Sequence, residues 1–113
     1  MKLINTTKHC EIASKFKIAE NIFTRMKGLL GKSSLAEGEG LLIRPCKGIH
    51  TFGMKFPIDA VFLDRNNRVI AVKTGLAPNR MTPVFFSAAS VLELPSGTIV
   101  ATATAIGDAI EIA

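Results

Sequence analysis

The side chains able to do chemistry are few, and most of them fall between Pro45 and Asp59. Cys46, His50 and Met54 form a Cys-x3-His-x3-Met series. A thiolate, an imidazole and a thioether are the ligands that a soft metal such as copper prefers. In an extended chain, however, a step of four residues spans about 13 Å, too far for its ends to share one ion. A helix would bring them together, but Pro45, Gly48, Gly53 and Pro57 oppose a helix here. A metal site would need sharp bends at Gly48 and Gly53. Cys46 and Met54 are therefore expected to pack as soft apolar side chains, and no metal is assigned. The same spacing argues against a Cys46–His50 nucleophilic dyad. No helix start falls at Cys46 to lower its thiol pKa.

His50 and Asp59 make the better pair. Pro57 breaks the chain between them and allows it to fold back. A carboxylate beside an imidazole orients it and raises its basicity, the arrangement of a general base. A structural pair would look the same, and a carboxylate placed just before the apolar run Ala60-Val-Phe-Leu63 can instead accept loop amides. The structural role is the favoured expectation. In an extended run, His50, Phe52 and Met54 face one side while Thr51 and Lys55 face the other. The candidate ligand-binding residues are thus His50, Asp59, Thr51, Phe52, Met54 and Lys55, lining either a small-molecule pocket or one face of a core.

Two other features carry no chemistry on inspection. Gly28-Leu-Leu-Gly-Lys-Ser33 suggests a phosphate-binding loop, but that motif requires glycine where Met26 stands, and the segment ends a helix rather than opening one. His9 is adjacent to Cys10, and strand neighbours point to opposite faces, so His9 is read as a solvated residue.

The elements that would position these residues are short. Lys2–Ile4 and Cys10–Ala13 read as strands. Ala19–Leu30 reads as a helix, because Ile18, Ile22, Phe23, Met26, Leu29 and Leu30 recur at three- and four-residue spacing, with Gly28 and Gly31 as stop signals. Gly40–Arg44 is a strand stopped by Pro45, and Gly48–Met54 a second extended piece. Ile58–Leu63 and Arg68–Lys73 form a hairpin across Asp64-Arg65-Asn66-Asn67. Pro78–Pro83 is a loop, Ala88–Leu94 a strand, Thr98–Ala105 ambiguous between strand and short helix, and Ala109–Ile112 a closing strand. Closely spaced strands with one helix predict a β-rich α+β domain, either a small barrel or a folded, mostly antiparallel sheet.

The chain has 113 residues, which fits a single domain over 1–113. Its apolar fraction is 48% and its mean hydropathy +0.33, high enough either for a generous core or to leave apolar surface for a partner. The net charge of +5 comes from basic residues spread along the chain without a basic tail. Nucleic-acid binding is disfavoured, since Phe52, Lys55 and Phe56 give only a minimal stacking platform. Two cysteines, Cys10 and Cys46, make no disulfide framework. The first residues turn polar at once and offer no signal peptide, and no apolar run reaches the length of a membrane span. A cytoplasmic location is expected.

Arg25-Met-Lys-Gly-Leu-Leu-Gly-Lys, Ile49-His-Thr-Phe-Gly-Met-Lys-Phe-Pro-Ile-Asp59, Val91-Leu-Glu-Leu-Pro-Ser-Gly97 and Gly107-Asp108 occur in that order. Together they resemble the bacterial and archaeal family known as domain of unknown function 192, over about Ala13 to Ile112. The resemblance implies a compact β-rich domain with a short helix, some of whose relatives are exported. It implies no reaction, ligand or cofactor. The expected function is a non-enzymatic binding or accessory domain that holds a small molecule or protein segment at residues 45–59. The alternatives are a small hydrolase or metal-dependent enzyme using His50 and Asp59, and diffuse electrostatic binding of nucleic acid.

Overall fold

The computed structural model describes residues 1–113. Its elements run β1 (Leu3–Asn5), β2 (Cys10–Ala13), β3 (Lys15–Ala19), α1 (Ile22–Lys27), β4 (Glu39–Ile43), β5 (Ile58–Leu63), β6 (Val69–Leu76), β7 (Ser90–Pro95), α2 (Thr98–Thr102) and β8 (Ile110–Ile112). One sheet has the order β2-β1-β8, the other β3-β4-β7-β5-β6. Only β3 and β4 pair in parallel; every other strand pair is antiparallel. The α+β expectation holds in its folded-sheet form. The larger sheet stays open at β3 and β6, so there is no closed barrel.

The predicted hairpin closes as expected. Asp64 Oδ1 accepts the amides of Asn66 and Arg68 at 2.8 and 3.0 Å, and Asn67 takes a left-handed φ of 59°. β5 and β7 lie at the centre of the larger sheet and have almost no exposed position. Both faces of that sheet are covered, and side chains alternate between them. Leu41, Ile43, Ile58, Ala60, Phe62 and Val91 pack into one core with Ile49 and Met54 of the following loops. Leu42, Val61, Leu63, Leu92 and Leu94 pack into the other, against Leu3, Ile12 and Ile110 of the small sheet and Ile99 of α2.

Two expectations need correction and one ambiguity is resolved. The predicted helix contracts to Ile22–Lys27, because Lys15–Ala19 is claimed as a strand by parallel pairing with β4. That removes Ile18 from the supposed apolar stripe. Ile22, Phe23 and Met26 then face solvent at 62, 81 and 70% exposure. Asn21 caps the short helix by accepting Thr24 N–H at 2.8 Å. Second, Gly48–Met54 forms no strand; its one bridge is His50 with Met81. The ambiguous Thr98–Ala105 stretch resolves as α2, ended at Ala103 by a left-handed residue.

Asp59 ties the two layers together. It is fully buried, and its parity with Val61 and Leu63 aims it at the α2 side of the sheet. Oδ1 accepts Gly75 N–H at 2.8 Å; Oδ2 accepts Gly97 and Ile99 N–H at 3.1 and 2.8 Å. A register shift in the β5–β6 pair and the left-handed φ of Gly75 turn that amide onto the carboxylate. Charge-assisted bonds of this kind are the strong ones, and leaving their buried donors without acceptors costs about 1–3 kcal/mol each. Asp59→Asn keeps the volume but turns an amide group toward backbone donors. It should lower the unfolding free energy in urea by about 2 kcal/mol or more. A loss below about 0.5 kcal/mol would show that the three bonds do not anchor the fold.

Candidate functional site

A cleft of about 320 Å³ opens between α1 and the loop that follows β4. Its walls include Ile22, Arg25 and Met26 from α1 and Cys46, Ile49, His50 and Met54 from the loop. Its floor is the larger sheet, at Ile43 and Glu93. The loop is tied to its neighbour, residues 77–88. Thr51 is fully buried; its hydroxyl donates to Ala77 O at 2.6 Å and accepts Arg80 N–H at 2.9 Å. Thr82 Oγ1 accepts Ile49 N–H at 3.0 Å. Gly48 permits this approach, since a Cβ there would meet Pro83 O at 3.0 Å, backbone that cannot swing away.

These anchors overturn the extended geometry expected for the loop. Thr51 does not share a polar solvent face with Lys55; it is inside, while Lys55 is exposed and forms no ion pair. His50 and Phe52 are exposed and stack at 5.2 Å, and His50 Nδ1 accepts Phe52 N–H at 3.3 Å. Met54 turns into the core at 8% exposure and shows the cleft only part of itself. Because the chain bends, Cys46, His50 and Met54 line one cleft after all, contrary to the spacing argument. Only Cys46 and His50 of the three are of the His, Cys, Asp and Glu types, and no group of three or more such side chains is placed to hold a metal ion.

The structure does not bring His50 and Asp59 together. Asp59 lies on the α2 side of the sheet with both oxygens occupied by amides; His50 lies in the loop layer on the opposite face. Cys46 is half-buried, and its Sγ lies 3.2 Å from Gly48 O. Burial pushes its thiol above the ordinary range. The nearby Glu93 adds to that, while backbone hydrogen bonding at Gly48 and the Arg25 charge offset part of it. A thiol held protonated is a poor nucleophile.

The residue that sequence reasoning passed over is Glu93. It sits in the middle of β7, opposite Leu41 and Ala60, on the same sheet face as Val91. It is 3% exposed, and its Oε1 finds no hydrogen-bond partner in the protein. Gly28 closes over it: a Cβ at Gly28 would lie 3.6 Å from Oε1. Burial pushes its pKa up to about 7. The signal was present as a lone acid inside the run Val91-Leu-Glu-Leu94, within a strand otherwise reading as fully buried. A larger hollow of about 630 Å³ lies between α1 and β3, but no buried, unpaired group faces it.

Two solved structures share this fold. One is a protein of unknown function from Novosphingobium aromaticivorans DSM 12444, with TM-score 0.83 and 19% identity over 98% of this chain and 82% of that one. The other, from Sinorhizobium meliloti 1021, is described as "a putative transcription regulator"; it gives TM-score 0.79 and 21% identity over 97% of this chain and 89% of that one. At such identities the likeness speaks for the fold alone. No curated protein matches the chain. The family model of DUF192, described as an uncharacterized ACR, matches residues 3–112, and the chain belongs to that family.

Proposed function

We propose that the chain is one non-enzymatic binding domain whose cleft takes a small, largely apolar molecule bearing an amine. The observation that carries this reading is the buried Oε1 of Glu93, which has no partner among the protein's own donors. A native fold rarely leaves such an atom unsatisfied, because it forfeits a hydrogen bond worth far more inside than in water. A ligand ammonium supplies the missing donors and a compensating charge. Ile43, Ile49 and Leu29 offer apolar walls to its body.

Of the residues expected to bind ligand, His50 and Phe52 belong at the mouth as a stacked pair, and Met54 belongs to the wall. Asp59 and Thr51 serve as anchors beneath the surface. The hydrolase reading loses its support, because Asp59 is committed to backbone amides and His50 has no carboxylate beside it. The two cysteines are free, which agrees with a reducing compartment and a cytoplasmic site of action. No helix is long and apolar enough to cross a membrane.

Glu93 also sets a pH dependence. Its folded pKa lies near 7, above its unfolded value near 4.5. Between those values the folded state binds more protons, so stability falls as pH rises. The cost is absent below about pH 4 and complete above about pH 8, amounting to about 3 kcal/mol. Urea unfolding of the protein should show this decline, and Glu93→Gln should flatten it. Asp108 acts in the opposite direction at lower pH. Its pKa is held down by Asn5 and Lys8, so its contribution is lost only as pH falls through that lowered value. An unchanged slope in Glu93→Gln would assign the decline to another group.

The ligand class is tested by following amide resonances of Gly28, Cys46 and Ile49 while adding hexylamine, hexanol or hexanoate. Hexylamine should shift them, more strongly at pH 8 than at pH 6, since only ionised Glu93 gains from a cation. Glu93→Gln should weaken that binding by roughly ten- to a hundredfold, the worth of one charge-assisted hydrogen bond. Equal binding of hexanoate, or no effect of Glu93→Gln, would contradict the proposal.

A further inference from the structure

Residues 21–32 and 45–58 border the cleft, and residues 77–88 lie against the second of these segments. They are joined directly. Phe85 N–H donates to Lys47 O at 2.8 Å, Thr51 N–H to Arg80 O at 2.8 Å, and Lys47 Nζ to Phe86 O at 2.7 Å. Gly53 packs within 3.3 Å of Leu30 if given a Cβ, so the first segment closes against the second.

Charge is segregated onto this end. The three segments hold Arg25, Lys27, Lys32, Lys47, Lys55 and Arg80, all exposed, and not one Asp or Glu. The remainder of the chain has eight basic residues against nine acidic ones and is nearly neutral. Of the acids flanking these segments, Glu20 pairs with Arg44 at 3.1 Å, Asp59 is fully buried and Glu93 lies beneath the cleft, while Glu37 is exposed and unpaired but lines a different hollow, beside α2. Apolar exposure is segregated in the same way. Seven of the ten exposed large apolar side chains are here: Ile22, Phe23 and Met26 on α1, Phe52 in the second segment, and Met81, Val84 and Phe86 in the third. Phe23 and Phe86 protrude furthest, at 81 and 83% exposure.

We infer that this end docks onto an anionic lipid bilayer surface, with the apolar side chains among the headgroups and the lysines and arginines against the lipid phosphates. Charge complementarity selects an anionic partner, and the apolar chemistry selects among the anionic ones. Aliphatic Ile22, Met26, Met81 and Val84 have nothing to offer a nucleic-acid backbone, whose non-specific readers use aromatic platforms. Side chains standing singly on loops and a short helix, with cations between them, match the composition of interfacial membrane anchors. The attraction to acidic headgroups accumulates over each Lys or Arg and fades within a Debye length. Docking in this orientation would present the cleft mouth to the membrane plane.

Sedimentation with lipid vesicles tests it. The protein should bind vesicles of phosphatidylcholine containing about one-third phosphatidylglycerol at least tenfold more tightly than phosphatidylcholine alone, with the difference collapsing as salt rises toward about 1 M. Phe23→Asp combined with Phe86→Asp should abolish binding, while Val100→Asp combined with Ile106→Asp, exposed apolar positions elsewhere, should leave it intact. All four positions are solvent-facing, and unchanged thermal unfolding of both variants verifies that the fold is kept. No binding to either vesicle, equal binding to both, or loss in the Val100/Ile106 variant would overturn the proposal. So would binding of polyglutamate or an oligonucleotide in preference to anionic vesicles. The outcome is independent of hexylamine binding, so the two readings stand or fall separately.

Discussion

A sheet buried on both faces must do something with every side chain on its central strands. β5 and β7 supply two carboxyl groups to positions nearly sealed from bulk water, and the molecule treats them in opposite ways. Asp59 receives three backbone amides and becomes a fixed joint between β5, β6 and α2. Glu93, on the other face, has one oxygen with no donor. The surrounding architecture leaves room for this: Ala60 beside it is small, and Gly28 above it has no side chain. Charged groups without partners are expensive inside proteins, and burial moves the pKa until the neutral form competes. The rest of the candidate site is arranged around that one carboxyl.

The loop layer is held together by hydrogen bonds between the 45–57 and 77–88 segments. Thr51 and Thr82 act as internal staples, each satisfying backbone groups that an irregular buried segment would otherwise leave open. This lets the loop keep an irregular path, with Ile49 and Met54 packed on the sheet, and leave a cleft between itself and α1. It also explains why α1, with no buried residue of its own, stays in place only through its cap and its flanks at Leu29 and Leu30. Local structure here serves the opening and not the core.

Much of the sheet was legible. The β5–β6 hairpin, β4, β7 and the closing strand follow from short apolar runs and from turn residues whose side chains bond their own backbone. The helix was overextended because Ile18 fits a three-to-four spacing as well as it fits an alternating strand, and parallel pairing with β4 decided the matter from outside the window. Thr51 was misplaced because strand alternation was applied to a segment that is not a strand. The pairing of His50 with Asp59 failed for a related reason: chain proximity across Pro57 cannot reveal that a sheet will lie between them. Glu93 is readable in principle, as an acid within an unbroken apolar run, but it stands far in sequence from the reactive residue types that cluster at 45–59. The charge asymmetry is hidden in the sequence because basic residues are spread along the whole chain and the segments that lack acids are not contiguous.

Following the Glu93 side-chain carboxyl carbon by 13C NMR across pH, with and without hexylamine, addresses the central claim directly. The account predicts a free midpoint near 7 and a clear downward displacement when the amine is present, because a cation favours the ionised form. A midpoint near 4.5 that the amine leaves unmoved would contradict it.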